Sequence, residues 1–197
     1  MEIRSEIIIL ALSLSILSFS TRGIEGREEA PVHPRVQMLI LLKALTYDRN
    51  FEKRVGDKLI IGILYDSEDE DSQKIKKGVS DVLDSLSGKT VKGVPFIYVD
   101  LNYNSDDSFK NSIETKKIDV LYVTPSHKWD IESIVQVSQK TKMLTITGVT
   151  EYVTRGISLG IGLKESKPEI WINLDSARAE GSDFDSNLLK LCRVIRR

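Results

Sequence analysis

The chain has 197 residues, 41% of them hydrophobic and 29% charged, with a formal net charge of −1. That is enough for one domain with a real core, too short for two comfortable ones, and too apolar for a disordered chain. Twenty-eight basic against 29 acidic residues make no global basic field, which excludes the nucleic-acid-binding classes that depend on one.

The first segment, "MEIRSEIIILALSLSILSFSTRG", has an apolar run over residues 7–17 followed by Ser18-Phe19-Ser20. This is signal-peptide anatomy, and the run is too short to span a bilayer comfortably. Glu2 and Glu6 offset Arg4, so an N-terminal anchor or a buried first helix stands as the alternative. The expectation is a signal peptide over 1–20, a linker over 21–34 rich in charge, glycine and proline, and one α/β domain over 35–197, with no membrane segment after processing. The one cysteine, Cys192, allows no internal disulfide, so the fold rests on its core.

From Pro34 the pattern turns helical. Val36, Met38, Leu39, Ile40, Leu41, Leu42 and Leu45 make a helix apolar nearly all round, which is deeply buried or keeps a second face for a partner. "LIIGILY" (59–65) is a strand, and Ile75, Val79, Val82, Leu83 and Leu86 then recur at helical spacing. The alternation continues through a strand at 94–101, a helix at 107–116, a strand at 118–125, a helix at 130–140 and a strand at 142–149. Strands alternating with helices predict right-handed crossovers and a mostly parallel sheet flanked by helices. In "GISLGIGLKESKPEIWINL" (156–174) the rhythm changes to two alternating strands around a short turn, a C-terminal antiparallel hairpin. Gly160 and Gly162 on its opposite face leave room for a helix or another backbone. Phe184, Leu188, Leu191, Cys192 and Ile195 then form one helical stripe, which predicts a closing helix with a buried Cys192 thiol.

The stretch "TEYVTRGISLGIGLKESKPEIWINLDSARAEGSDFDSNLLKLCRVI" (150–195) resembles the YfiR/HmsC-like family of bacterial periplasmic proteins. The family pattern falls on Tyr152, Gly156, Ile172-Asn173-Leu174, Ala177, Gly181, Leu188 and Leu191, with a looser likeness back to residue 35. The chain departs from the family in lacking a cysteine pair and in carrying Cys192 where a small residue is usual. Its first helix also lacks an aromatic-rich ending, Tyr47 and Phe51 being the nearest equivalents. The resemblance implies a non-enzymatic periplasmic regulator that binds a membrane-anchored signalling protein of the diguanylate cyclase or sensor kinase type, and so bears on cyclic di-GMP signalling.

Other motifs have plainer readings. The acids of "DSEDEDS" (66–72) complement a helix start; the loop lacks phosphate-cradling glycines and the spacing of an EF-hand. Ser126, His127 and Asp130 share one loop, where a triad cannot generally assemble, and Asp130 suits a helix cap. The two histidines, His33 and His127, are far apart in sequence, so no zinc cluster, and no other cofactor, is expected. Asn173 is expected to be structural, its amide turning the chain out of the sheet. Leu42, Tyr47 and Trp171 are the candidate partner contacts. Two alternative functions are a solute-binding module using the strand-end crevice of residues 66–71, 102–107 and 124–129, and a hydrolase using Ser126 or His127.

Overall fold

The computed structural model describes residues 32–196; the expected signal peptide and nearly all of the linker lie outside them. Helix α1 (Pro34–Leu45) starts at Pro34, whose missing N–H costs nothing there, while His33 Nδ1 accepts the N–H of Arg35. A short helix, α2 (Phe51–Arg54), leads into β1 (Leu59–Tyr65), α3 (Glu70–Ser85), β2 (Thr90–Val91) and β3 (Val94–Asn102). Then come α4 (Asp106–Lys116), β4 (Val120–Val123), α5 (Ile131–Thr141), β5 (Leu144–Thr147) and α6 (Thr150–Thr154). The chain closes with β6 (Leu159–Lys164), β7 (Lys167–Asn173), α7 (Leu174–Ala179), α8 (Ser186–Leu189) and β8 (Cys192–Ile195).

The eight strands form one sheet in the order β2-β3-β1-β4-β5-β6-β7-β8. Pairing is parallel from β3 through β6 and again between β7 and β8; β2–β3 and β6–β7 are antiparallel hairpins. Both hairpin turns use two residues with positive φ, Lys92-Gly93 and Glu165-Ser166, the conformation that matches the right-handed twist of the flanking strands. Helices on both faces enclose two apolar clusters. Leu59, Ile61 and Ile63 of β1 pack with α1 and α3, whereas Leu64 packs with Phe109 and Ile113 of α4 and Ile131 and Ile134 of α5. The α/β class, the parallel sheet and the hairpin are as the sequence predicts.

The closing helix is not. Phe184 and Leu188 are buried, but the helical segment is only Ser186–Leu189, Leu191 is 74% exposed, and Cys192–Ile195 adds a parallel edge strand beside β7. The apolar spacing that fits a helix also fits a strand over its last four residues. Cys192 and Val194 turn toward the core cluster on the α1 side, while Arg193 lies over the Trp171 ring at 4.1 Å. Cys192 is half-buried rather than sealed; burial pushes its thiol up to about 11, and Sγ contacts Leu188 O at 3.0 Å.

Candidate functional site

From β1 the chain crosses to β3 on one side and then to β4 on the other. The connections therefore diverge between β1 and β4, the switch point at which open α/β sheets leave a crevice beyond their carboxyl ends. Here the crevice is open, about 440 Å³, and lined by Asp66, Glu68, Asp69, Ser126, His127 and Lys128 among others. Two loops make it, one after β1 and one after β4. Thr124 Oγ1 donates to Leu64 O, so the 2.6 Å contact with Ser72 has the Ser72 hydroxyl as donor; Ser72 Oγ in turn accepts the Asp66 N–H. These buried bonds seat the start of α3 against the end of β4.

Asp66 is the floor of the crevice. Its Oδ1 accepts from the Glu68 N–H at 2.9 Å and from Lys128 Nζ at 3.1 Å, and its Oδ2 from Ser126 Oγ at 3.2 Å. Burial pushes this carboxyl up, but the Glu68 N–H, Lys128 and Ser126 outweigh it and hold it below the usual carboxylate range. Lys128 also reaches Glu68 at 2.6 Å. Ser126 and Asp66, separated by the whole β3 crossover, are thus brought together. Yet the serine hydroxyl points to a carboxylate that Lys128 already engages and that is held below the usual range, which makes it a weak base toward that proton. Asp130 caps α5 by accepting the Glu132 N–H, as the sequence predicts, and takes no part in the crevice. Among the described residues no group of three or more His, Cys, Asp or Glu side chains is disposed to hold a metal ion.

Of the signature residues, Tyr152 reaches the crevice, and the others shape the chain elsewhere. The Tyr152 hydroxyl donates to Ser126 O and accepts the Ser126 N–H, clamping the loop after β4. Gly156 adopts φ +124 with Val135 3.0 Å from where a Cβ would sit, so a side chain there would be strained and crowded. Gly181 also has positive φ. Asn173 is fully buried; its Oδ1 accepts the Ser176 N–H to cap α7 and its Nδ2 donates to Val153 O. Its bond falls three residues on rather than the expected two, where the chain leaves β7 and enters α7. Gly160 and Gly162 admit α6, for a Cβ on either would lie 2.4 Å from Val153 or Thr150. Leu188 is buried and Leu191 is not.

The partner candidates are redistributed by the structure. Leu42, expected on an exposed face of α1, is 9% exposed and belongs to the core with Met38, Leu41 and Leu45. One helical turn cannot show every side chain to solvent, and that face packs against the sheet and α3. The outward stripe is instead Val36 (38% exposed), Leu39 (43%) and half-buried Ile40, running to Lys43, whose ammonium lies 5.7 Å from the Tyr47 ring. Trp171 is half-buried on the far side of the sheet beneath Arg193.

Three buried polar arrangements escape sequence reasoning. Glu180 is fully buried and accepts from Ser138 Oγ, Ser158 Oγ, and both the N–H and hydroxyl of Thr145. Burial pushes its carboxyl up to about 7 against those four donors. Asp48 pairs with Arg54 at 2.9 Å and accepts the N–H groups of Asn50 and Asp183, tying both ends of the domain together. Gln37 accepts from the buried Tyr122 hydroxyl at 2.7 Å. The only sequence signal was a polar residue inside an apolar period, as with Gln37; the partners lie too far along the chain to be paired by spacing.

A family model described as YfiR/HmsC-like matches residues 35–193. No curated protein matches the chain significantly. Among solved structures, an ABC domain from Streptococcus pneumonia in complex with L-Trp superposes with a TM-score of 0.59 at 14% identity, over 83% of this chain and 60% of that one. A ligand-free, open substrate binding protein with adhesive properties from Clostridium difficile gives 0.53 at 19% identity, over 80% and 58%. A conserved domain protein from Vibrio cholerae gives 0.56 at 14%, over 85% and 62%. The chain thus spans about 60% of the length of these structures, and what they share with it is the fold.

Proposed function

The chain belongs to the YfiR/HmsC-like family, whose members are non-catalytic regulators, and from that premise we propose that it is an exported protein controlling a membrane-anchored signalling protein by direct contact. A diguanylate cyclase, or a sensor kinase, is the proposed partner. Binding one state of that partner more tightly than the other would shift its population toward the bound state. Among the described residues no helix is long and apolar enough to cross a membrane, which suits a regulator that meets its partner outside the bilayer.

The observation that carries the reading is the outward stripe of α1. Val36 and Leu39 stand one turn apart, each about 40% exposed, beside half-buried Ile40, on a helix whose opposite face is core. Large apolar groups clustered on one exposed helix face suit a partner's surface. Leu39→Glu should abolish association with the solubilised signalling protein while leaving the melting curve unchanged. A variant that still binds normally removes α1 as the docking face. Export is tested separately: protein taken from the periplasm should have an intact mass beginning near Thr21, and a full-length, membrane-bound product defeats that part.

A second reading, a solute-binding module, is favoured by the crevice at the β1/β4 switch point and by its charged floor of Asp66 and Lys128. Two of the structures sharing the fold are described as holding L-Trp or as binding a substrate. A small molecule that raises the melting temperature, with the effect lost in Asp66→Asn, would support it.

A further inference from the structure

The two edges of the sheet are built differently. At one end β8 is only four residues long and carries Arg193, with Arg196 just beyond it, the short charged edge that resists further pairing. At the other end β3 is nine residues long, and β2 pairs only with its Val94 and Pro95. Phe96–Asn102 therefore has β1 on one side and, among the described residues, no strand on the other. Within that span Ile97 is 42% exposed, and Asp100 is the single charged residue.

We propose that this open edge of β3 pairs antiparallel with β3 of a second copy of the chain, joining two sheets across a twofold axis at Val99. The register follows from backbone direction. The Tyr103 N–H donates to Tyr65 O, so odd-numbered residues of β3 turn their backbone groups to β1 and even-numbered ones, Tyr98 and Asp100 among them, turn outward. Val99 is the midpoint of the unpaired span. A twofold there sets Tyr98 opposite Asp100 of the other copy, twice, so that outward groups meet outward groups. Centring on Asp100 instead would oppose two carboxylates, which is destabilising.

The charges above the edge agree with this register. On α3, Lys76 pairs with Asp100, and Asp84 accepts from the Tyr98 hydroxyl at 2.8 Å. Placing Tyr98 against Asp100 of the second copy therefore brings Lys76 of each molecule beside Asp84 of the other, cation to carboxylate. An unrelated strand would gain the backbone bonds but has no reason to present that arrangement. Isologous pairing is also the commonest form of self-association.

The protein, purified as the cell processes it, should sediment as a concentration-dependent dimer. Asp100→Pro removes one outward N–H per copy without breaking a bond to β1, as edge strands tolerate, and should weaken dimerisation by about tenfold or more with the circular dichroism spectrum retained. Val99→Cys in a Cys192→Ser background reports the register. Its two thiols face each other in a non-hydrogen-bonded pair, within disulfide reach, and should cross-link under mild oxidation. Ile97→Cys would hold its thiols about 13 Å apart and should not. A protein that stays monomeric, a dimer indifferent to Asp100→Pro, or equal cross-linking at both positions overturns the proposal, and edge binding by a foreign strand alone counts against it equally.

Discussion

Two of the buried carboxylates, Glu180 and Asp66, behave oppositely. Glu180 sits in a sealed pocket between α5, β5 and the start of β6, met only by neutral donors, and its carboxyl rises to about 7. Asp66 closes the floor of an open crevice, where Lys128 stands 3.1 Å away, and its carboxyl is held below the usual range. Both are well supplied with hydrogen bonds. What separates them is a cation and access to water: neutral donors satisfy a carboxylate's lone pairs without repaying the desolvation of its charge. The sealed acid is therefore part of the core, and the crevice acid is the one free to respond to a ligand.

The largest expected effect tests the sealed site. Glu180→Ala leaves the Ser158 and Thr145 hydroxyls and the Thr145 backbone N–H without their acceptor and should cost about 3 kcal/mol or more. A denaturation midpoint near wild type would mean that water replaces the carboxylate there and the pocket is not sealed.

Next comes pH. Glu180 has a folded value of about 7, above its ordinary 4.5, so the native state holds a proton that the unfolded chain releases. Its contribution is fully present below about pH 4.5 and is lost as pH rises through about 7, an effect of about 3 kcal/mol. Asp66 has the opposite sign: its folded value is depressed, so its contribution is present above its ordinary value of 3.8 and is lost as pH falls. Thermal melts across pH 3–9 should accordingly decline on both flanks. Glu180→Gln should flatten the alkaline flank alone. Retention of that slope in the glutamine variant breaks the comparison.

Asp66→Asn should be milder, about 1 kcal/mol at neutral pH, because an amide oxygen in the Oδ1 position can still accept the Glu68 N–H, while the NH2 in the Oδ2 position can donate to the Ser126 hydroxyl oxygen. It should flatten the acidic flank and leave the alkaline one as it was. Smallest of all is Lys128→Ala. Its side chain is largely solvated, so the melting temperature should scarcely move. The Asp66 carboxyl, followed by NMR, should titrate at higher pH than in the wild type, and an unmoved titration would show that the two N–H and O–H donors alone set its charge.

The same contrast marks what was legible in the residues. Continuous apolar runs such as Leu59–Tyr65 and Val120–Val123, punctuated by amphipathic segments, announce a parallel sheet because such strands must be covered on both faces. Asp66 could be placed at a strand end for that reason, and with it the crevice expected from residues 66–71, 102–107 and 124–129, although 102–107 does not line it. Glu180 could not, since its partners Ser138, Thr145 and Ser158 come from three elements and share no period. Leu191 was misplaced because four residues cannot distinguish a helix turn from a strand, and Leu42 because an apolar helix does not say which side the sheet lies on.

By itself, then, the amino-acid order determined the main strand–helix alternation, the βα crossovers and the β6–β7 hairpin, through local periodicity and turn chemistry that act within a few residues. Only the tertiary structure decided that Cys192–Ile195 joins the sheet beside β7, that α1 shows Val36 and Leu39 to solvent, and that Glu180 is sealed while Asp66 meets Lys128. Those outcomes depend on which distant surfaces meet. Burial and the charge state of a carboxylate are set by neighbours many tens of residues away, whose approach no local pattern encodes.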